Sequence, residues 1–246
     1  MARYDKPTPS LKTALGKHGS VGSSLIVLPE GFNINKYYRD PGPRNYDAKV
    51  LEELQSLAAK HDVTFVAGVI VEEPKGPIPP FNSVYLVHNS GSTLICQKRR
   101  PDNYSNYTPF KASPETANLV QYGGSTIAAI VCKDCDCPDA YEPIQNELDE
   151  LAEAQGSKIV CIPACRSFSE RIIASSWQNC YVILANSDPC GCISFVSKNG
   201  EIVPKNDRAV ENSIGLTSLL TPSSFKQVTR QSSHFPNTKR IKWSST

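Results

Sequence analysis

The chain has 246 residues, of which 39% are hydrophobic and 20% are charged. This composition is typical of a single soluble globular domain, and the length allows an α/β fold with a large buried core. The 26 basic and 24 acidic side chains leave a formal net charge of only +2, which argues against a nucleic-acid-binding surface. The longest apolar runs have the length of a strand, well short of the ~20 residues of a membrane helix, so we expect no membrane partner.

The first residues, Met-Ala-Arg-Tyr-Asp-Lys-Pro, contain no apolar stretch of the kind found in a secretory signal. We therefore expect a cytoplasmic protein. The chain has nine cysteines, an odd number, and most of them lie within apolar runs. This pattern predicts buried thiols rather than a framework of disulfides.

The first half of the chain alternates between strand and helix patterns. An apolar run that ends at Pro29-Glu30-Gly31 predicts a buried strand followed by a polar loop. The spacing of apolar residues then predicts a helix over 47–59, a strand over 63–71, and a hairpin whose strands, 82–88 and 93–96, flank Asn89-Ser90-Gly91.

After a loop at 101–114, the second half has a similar order with one further helix and strand. A β-rich run reaches Cys132, and the following elements are predicted as a helix that begins near Pro138, a strand over 158–162, a helix over 169–179, a strand over 181–185 and a hairpin of 192–196 and 201–203. We expect one domain over 1–246 whose two α/β halves pack sheet against sheet. Residues 222–246 are predicted to form an arm or a flexible tail.

Three strand ends carry groups that can do chemistry, namely Glu30, Lys98 and Cys132. A cysteine nucleophile needs a group that accepts its proton and donors for the oxyanion. None of the four histidines lies in a motif that pairs it with a cysteine, so the alternative is a carboxylate base with a lysine. Taken singly, each of the three residues is equally well explained as a loop acid, a surface charge or a small core residue.

Three strings around these residues resemble the nitrilase superfamily of carbon–nitrogen hydrolases. They are Leu-Ile-Val-Leu-Pro-Glu at 25–30, Asn-Ser-Val-Tyr-Leu-Val at 82–87, and Ile-Ala-Ala-Ile-Val-Cys-Lys-Asp-Cys-Asp-Cys-Pro at 127–138. They occur in the family's order, and the resemblance extends over about residues 20–205. It implies a four-layer α-β-β-α sandwich, no cofactor, and a homodimer or larger assembly.

The same resemblance implies the roles of the site residues. Cys132 is the expected nucleophile, Glu30 the general base, and Lys98 the cation that stabilises the oxyanion. Glu115 is the best positional match for a second, supporting glutamate. The function implied is hydrolysis of a carbon–nitrogen bond outside peptides, in a small amide, through a thioester; whether an amide, a carbamoyl compound or a nitrile is preferred stays open.

Two features depart from the family pattern. The family begins with a further strand and helix, so residues 1–20 form an atypical or truncated start. The residue after the nucleophile, often aromatic in the family, is Lys133, whose backbone N–H still fits an oxyanion donor and whose charge favours anionic substrates or a lower thiol pKa. A catalytically silent binding or scaffold protein with this fold is the alternative function.

The cluster Cys132-x-x-Cys135-x-Cys137 allows two further hypotheses. Closely spaced thiolates are ligands for zinc or iron–sulfur centres, but a structural zinc site takes four ligands and a second half is not evident. Alternatively, Cys135 or Cys137 resolves an oxidised Cys132 in a redox role. We predict no metal and retain both hypotheses for comparison with the structure.

Overall fold

A computed structural model describes residues 24–31, 49–70, 81–100, 117–151, 156–164, 170–186, 195–202, 209–210, 217–218 and 238–241. In the first half, β1 (Ser24–Leu28) runs parallel to β2 (Val63–Ile70), and helix α1 (Lys49–His61) lies between them in the chain. Strand β3 (Asn82–His88) and strand β4 (Gly91–Gln97) continue the sheet as an antiparallel hairpin.

The second half has a parallel centre. Strands β5 (Ala117–Tyr122) and β6 (Ser125–Ala129) form a hairpin, followed by a 3₁₀ helix (Cys132–Asp136) and α2 (Pro138–Glu150). Strand β7 (Ser157–Ala164) lies parallel to β6, and β8 (Tyr181–Asn186) lies parallel to β7 after helix α3 (Glu170–Ser176). The antiparallel strands β9 (Phe195–Lys198) and β10 (Glu201–Ile202) end this half.

Strands β1 to β10 are hydrogen-bonded to one another in chain order. The sheet bends between β4 and β5, so that its two halves lie against each other. Among the described residues, only the pair Cys96 and Ala117 joins β4 to β5. Beyond this junction the two halves face each other, because β1 contacts β7 and β8, and β2 contacts β7, without strand pairing between them. Two sheet layers therefore pack face to face.

Successive side chains of β1 and β2 point to opposite faces of the sheet in the first half. Ile26 and Leu28 of β1 and Phe65 of β2 pack in a cluster with α1, whereas Val27 and Val66 belong to the cluster shared with the second half. Helices α2 and α3 contribute buried side chains to that second cluster. The predicted four-layer α-β-β-α sandwich is confirmed.

The element boundaries differ from the predictions by a few residues. Helix α1 runs two residues past the predicted end, to the turn at Asp62, whose φ is +51°. Helix α3 ends at Ser176 rather than at residue 179, and Asn179 lies in the left-handed region at φ +59°. Non-glycine residues tolerate this region poorly outside turns, so such a residue marks a helix end.

The C-terminal part of the chain supplies further strands. Within the segment predicted as an arm or flexible tail, β13 (Thr238–Ile241) pairs antiparallel with β5. Strands β11 (Ala209–Val210) and β12 (Thr217–Ser218) form a separate two-stranded ladder. The longest described helices have 13 residues, and none of the helices in the described residues is both long and apolar enough to cross a membrane.

Candidate active site

Glu30 lies in the turn that follows β1 and is 3% exposed. The turn closes at Gly31, whose φ of +62° is in the region that favours glycine. Gly68 of β2 lies directly behind Glu30: a Cβ at this position would meet the Pro163 Cβ at 2.7 Å and the Glu30 Cα at 3.0 Å. A glycine here lets the backbone of β1 and strand β7 approach β2 closely.

Lys98 follows β4 and meets Glu30 in the interior. Its Nζ lies 2.8 Å from Glu30 Oε1, and both side chains are fully buried. Two charges removed from water carry a desolvation cost that their mutual attraction offsets only with good geometry and further hydrogen bonds. A pair of this kind is a weak contribution to stability, and its burial at two strand ends indicates a functional site.

Asn82, the first residue of β3, binds both members of this pair. Its Nδ2 donates to Glu30 Oε1 at 2.6 Å, and its carbonyl oxygen accepts the backbone N–H of Lys98 at 2.7 Å. The residue is fully buried, and its Oδ1 has no hydrogen-bond partner among the residues that the structure describes. The side chain of this residue thus orients the Glu30 carboxylate, and its main chain holds the start of the lysine segment.

Cys132 occupies a sharp turn between the end of β6 and the 3₁₀ helix. Its φ is +47°, while Val131 before it is extended, and the residue is 1% exposed. A non-glycine residue in the left-handed region stores strain, which clusters at active sites. The Asp134 N–H donates to the Val131 carbonyl at 2.9 Å, whereas the Lys133 N–H has no acceptor among the described residues. Such an N–H in the first turn of a helix is able to bind an oxyanion.

Asp134 connects the cysteine turn to the lysine segment. Its Oδ2 accepts the backbone N–H of Arg99 at 2.7 Å, and its Oδ1 accepts that of Arg100 at 2.9 Å. Burial raises the pKa of Asp134 to about 7; the two N–H groups and the Lys98 charge lower it, and the Glu30 charge raises it. The structure therefore brings Glu30 and Lys98 into direct contact and ties Cys132 to them through Asp134.

Three of the other described cysteines, Cys96, Cys161 and Cys180, lie within the hydrophobic core. Burial raises the pKa of the Cys96 and Cys161 thiols and raises that of Cys180 to about 12. All three are buried and lie outside any disulfide. No group of three or more His, Cys, Asp or Glu side chains in the described part of the chain is arranged to hold a metal ion. The hypothesis of a metal centre at 132–137 thus gains no support from these residues.

Two of the residues predicted for the site need separate mention. Glu115 and the loop 101–114 lie outside the described residues. Lys133 follows Cys132 in the 3₁₀ helix and is partly exposed. Sequence reasoning did not assign roles to Asn82, Gly68 and Asp134; the signals for them were a polar residue at the start of a buried strand, a glycine within an apolar strand, and an acid two residues after the cysteine.

Solved structures of known proteins show the same fold. A CN-hydrolase superfamily protein from Xanthomonas campestris matches with a TM-score of 0.59 and 17% identity, over 96% of this chain and 83% of that one. An amidase from Nesterenkonia sp. matches with a TM-score of 0.60 and 19% identity, over 94% and 93%. Saccharomyces cerevisiae Nit3, a nitrilase superfamily member, matches with a TM-score of 0.56 and 18% identity, over 92% and 86%.

Comparison of the sequence itself gives the family. No curated protein matches the chain. The model of the carbon-nitrogen hydrolase family matches residues 10–145, which is more than half of the 246 residues and includes Glu30, Lys98 and Cys132. The chain therefore belongs to the carbon-nitrogen hydrolase family, within the nitrilase superfamily.

Proposed function

We propose that this protein hydrolyses the carbon–nitrogen bond of a small amide, with Cys132 as nucleophile, Glu30 as general base and Lys98 as the cation at the oxyanion. The observation that carries the proposal is the fully buried Glu30–Lys98 pair, at 2.8 Å, tied to the strained turn of Cys132. Buried charges held at strand ends are costly to keep, and this arrangement gives them a use.

The first half of the reaction forms a thioester. Glu30 accepts the thiol proton of Cys132, and the sulfur attacks the carbonyl carbon of the amide. The oxygen gains the negative charge, which Lys98 and the Lys133 N–H stabilise. Glu30 then donates its proton to the nitrogen, the carbon–nitrogen bond breaks, and ammonia or an amine leaves.

The second half releases the acid. Glu30, again a carboxylate, takes a proton from water, and the resulting hydroxide attacks the thioester carbon. The same donors stabilise the second oxyanion. The carbon–sulfur bond breaks, the proton on Glu30 returns to the sulfur of Cys132, and a carboxylic acid leaves. One water is consumed for each amide, and no cofactor takes part.

Two observations support a small amide as the substrate. Cys132 is 1% exposed and the Glu30 and Lys98 side chains are fully buried, so the reacting atoms lie inside the protein rather than on its surface. In a glutamate-to-glutamine mutant of the structurally similar Nesterenkonia amidase, acrylamide, a small amide, has reached the active-site cysteine and added to it by Michael addition. Carbamoyl compounds and nitriles have equally small reacting groups and belong in the same substrate panel.

The experiment that tests the proposal measures ammonia release from a panel of short aliphatic amides, carbamoyl amino acids and nitriles. We expect the wild type to turn over at least one amide and the Cys132→Ala and Glu30→Gln variants to lose the activity. The matched control is Cys180→Ala, which removes a buried thiol directly before β8 and is expected to retain activity. A folded wild type without activity on the panel would contradict the proposal and favour a binding or scaffold role.

A further inference from the structure

The carboxylate of Asp134 is held by two consecutive backbone N–H groups of another segment. Oδ2 accepts from Arg99 and Oδ1 from Arg100, at 2.7 and 2.9 Å, across a separation of 34 to 35 residues. Asp134 is 3% exposed. Hydrogen bonds to an ionised carboxylate are roughly twice as strong as those between neutral groups. This contact joins two segments that none of the described strand pairings connects directly.

Each of the two segments carries one expected catalytic group. Cys132 lies two residues before Asp134, in the same 3₁₀ helix, and the Asp134 N–H closes that turn on Val131. Lys98 immediately precedes Arg99, and its own N–H is bound by the Asn82 carbonyl. The contact therefore determines how far the main chain of Lys98 lies from the main chain of Cys132.

The ionisable groups around Asp134 come from every neighbouring element. The Lys98 charge, after β4, lowers the pKa of Asp134, and the Glu30 charge, after β1, raises it. The Asp134 charge in turn raises the pKa of the thiols of Cys96, in β4, and Cys137, at the start of α2. The Asp134 charge also raises the pKa of Arg100. Arg100 Nη2 donates to Asp139 Oδ2 at 2.6 Å, where both side chains are exposed to solvent. Burial brings the pKa of Asp134 to about 7, so its charge changes near neutrality.

We propose that Asp134 is a positioning residue that, in its ionised form, holds the Lys98 segment against the Cys132 turn. Protonation weakens the contact, since a neutral carboxyl accepts hydrogen bonds less strongly and one of its oxygens then carries a proton. Its effect on catalysis rests on the function proposed above, whereas the contact itself does not.

The test compares Asp134→Asn with Asp139→Asn, which removes the exposed carboxylate that binds the same segment. Hydrogen exchange is measured in the peptide containing Arg99 and Arg100, and iodoacetamide alkylation is measured at Cys132. In Asp134→Asn, an amide N–H₂ replaces one acceptor, so we expect exchange at least tenfold faster and alkylation about tenfold slower. Asp139→Asn is expected to change neither by more than twofold, because exposed ion pairs contribute little.

If Asp134→Asn leaves exchange in the Arg99–Arg100 peptide unchanged, Asp134 does not hold this segment. If exchange is faster but alkylation of Cys132 is unchanged, Asp134 does not position the site. If that variant does not fold, the wild type supplies the test. Exchange through a local opening that breaks the two hydrogen bonds and leaves Asp134 buried, corrected for its intrinsic pH dependence, is expected to be faster at pH 5 than at pH 8, because these bonds lower the pKa of Asp134 and so favour its ionised form; a flat profile would overturn the proposal. If the exchange rates are as expected but the wild type hydrolyses no amide, the Asp134 contact stands and only the proposed hydrolase function is rejected.

Discussion

Gly68→Ala is the change that tests most sharply how the strands place Glu30. The added methyl group would lie 2.7 Å from the Pro163 Cβ and 3.0 Å from the Glu30 Cα, whereas ordinary contacts begin at 3.4 Å. The added Cβ must therefore lie at least 0.7 Å farther from the Pro163 Cβ and at least 0.4 Å farther from the Glu30 Cα. Both neighbours are held by main chain, so the substitution moves Glu30 or strand β7 rather than a flexible side chain.

These displacements set the size of the expected effect. A misplacement of 1 Å costs about 100-fold in rate, so 0.4 to 0.7 Å predicts a fall in kcat/KM of about 5- to 30-fold. Overpacking of a well-packed core also lowers the free energy of unfolding by about 1–3 kcal/mol. The variant is thus expected to remain folded and to lose activity.

The assay measures kcat/KM for the best amide of the panel together with the free energy of unfolding in urea. Ala58→Val is the matched control, because it overpacks a fully buried position on α1, on the face of the sheet away from β7. We expect both variants to be destabilised and only Gly68→Ala to lose activity. Equal activity in the two variants, or a Gly68→Ala enzyme within twofold of the wild type, would refute the reasoning.

Three further predictions follow from the buried polar groups. Asn82→Ala removes a hydrogen bond to the Glu30 carboxylate, worth about 1.5–3 kcal/mol, so we expect kcat/KM to fall at least tenfold. The control Asn118→Ala removes a 2.9 Å hydrogen bond to the Leu94 carbonyl outside the site. This control is expected to retain activity in the same assay. Lys98→Met leaves the Glu30 charge buried without its cation, so urea unfolding is expected to show a loss of about 3–5 kcal/mol that Glu30→Gln/Lys98→Met partly recovers; no recovery would contradict an energetic coupling of the pair. The raised pKa of Asp134 means that the folded protein binds more protons than the unfolded one between about pH 4 and 7, so its contribution to the free energy of unfolding falls by up to about 4 kcal/mol as the pH rises through this range. Urea unfolding at several pH values should show that slope in the wild type and not in Asp134→Asn, and equal slopes would contradict it.

Sequence reasoning recovers the parts of the fold that depend on local pattern. Apolar runs and hairpin signals locate β1 to β4 and β6 to β10 because the alternation and the turn residues lie within a few positions of each other. The pairing of β13 with β5 joins residues more than 100 positions apart. No local signal in the tail encodes that pairing, so it was predicted only as an arm or a flexible tail.

The candidate site shows the same division. Glu30, Lys98 and Cys132 are recognisable because each follows an apolar strand, and their catalytic roles stay predictions. Asn82 and Asp134 are ordinary polar residues in the sequence, and their importance depends on which main-chain groups the folded halves bring to them. A close approach such as that of Gly68 to Glu30 and Pro163 involves three separate strand segments and is visible only in the packed structure.

We expect the Glu30–Lys98 pair to make Cys132 the reactive thiol of this protein. Limiting iodoacetamide near pH 7, with the labelled cysteines located by mass spectrometry, tests it most directly, since the reactive form is the thiolate. We expect Cys132 to be labelled before Cys96, Cys161 and Cys180, whose pKa values burial raises, and to lose this advantage in Glu30→Gln and Lys98→Met. A Cys132 no more reactive than those three buried thiols would contradict the claim.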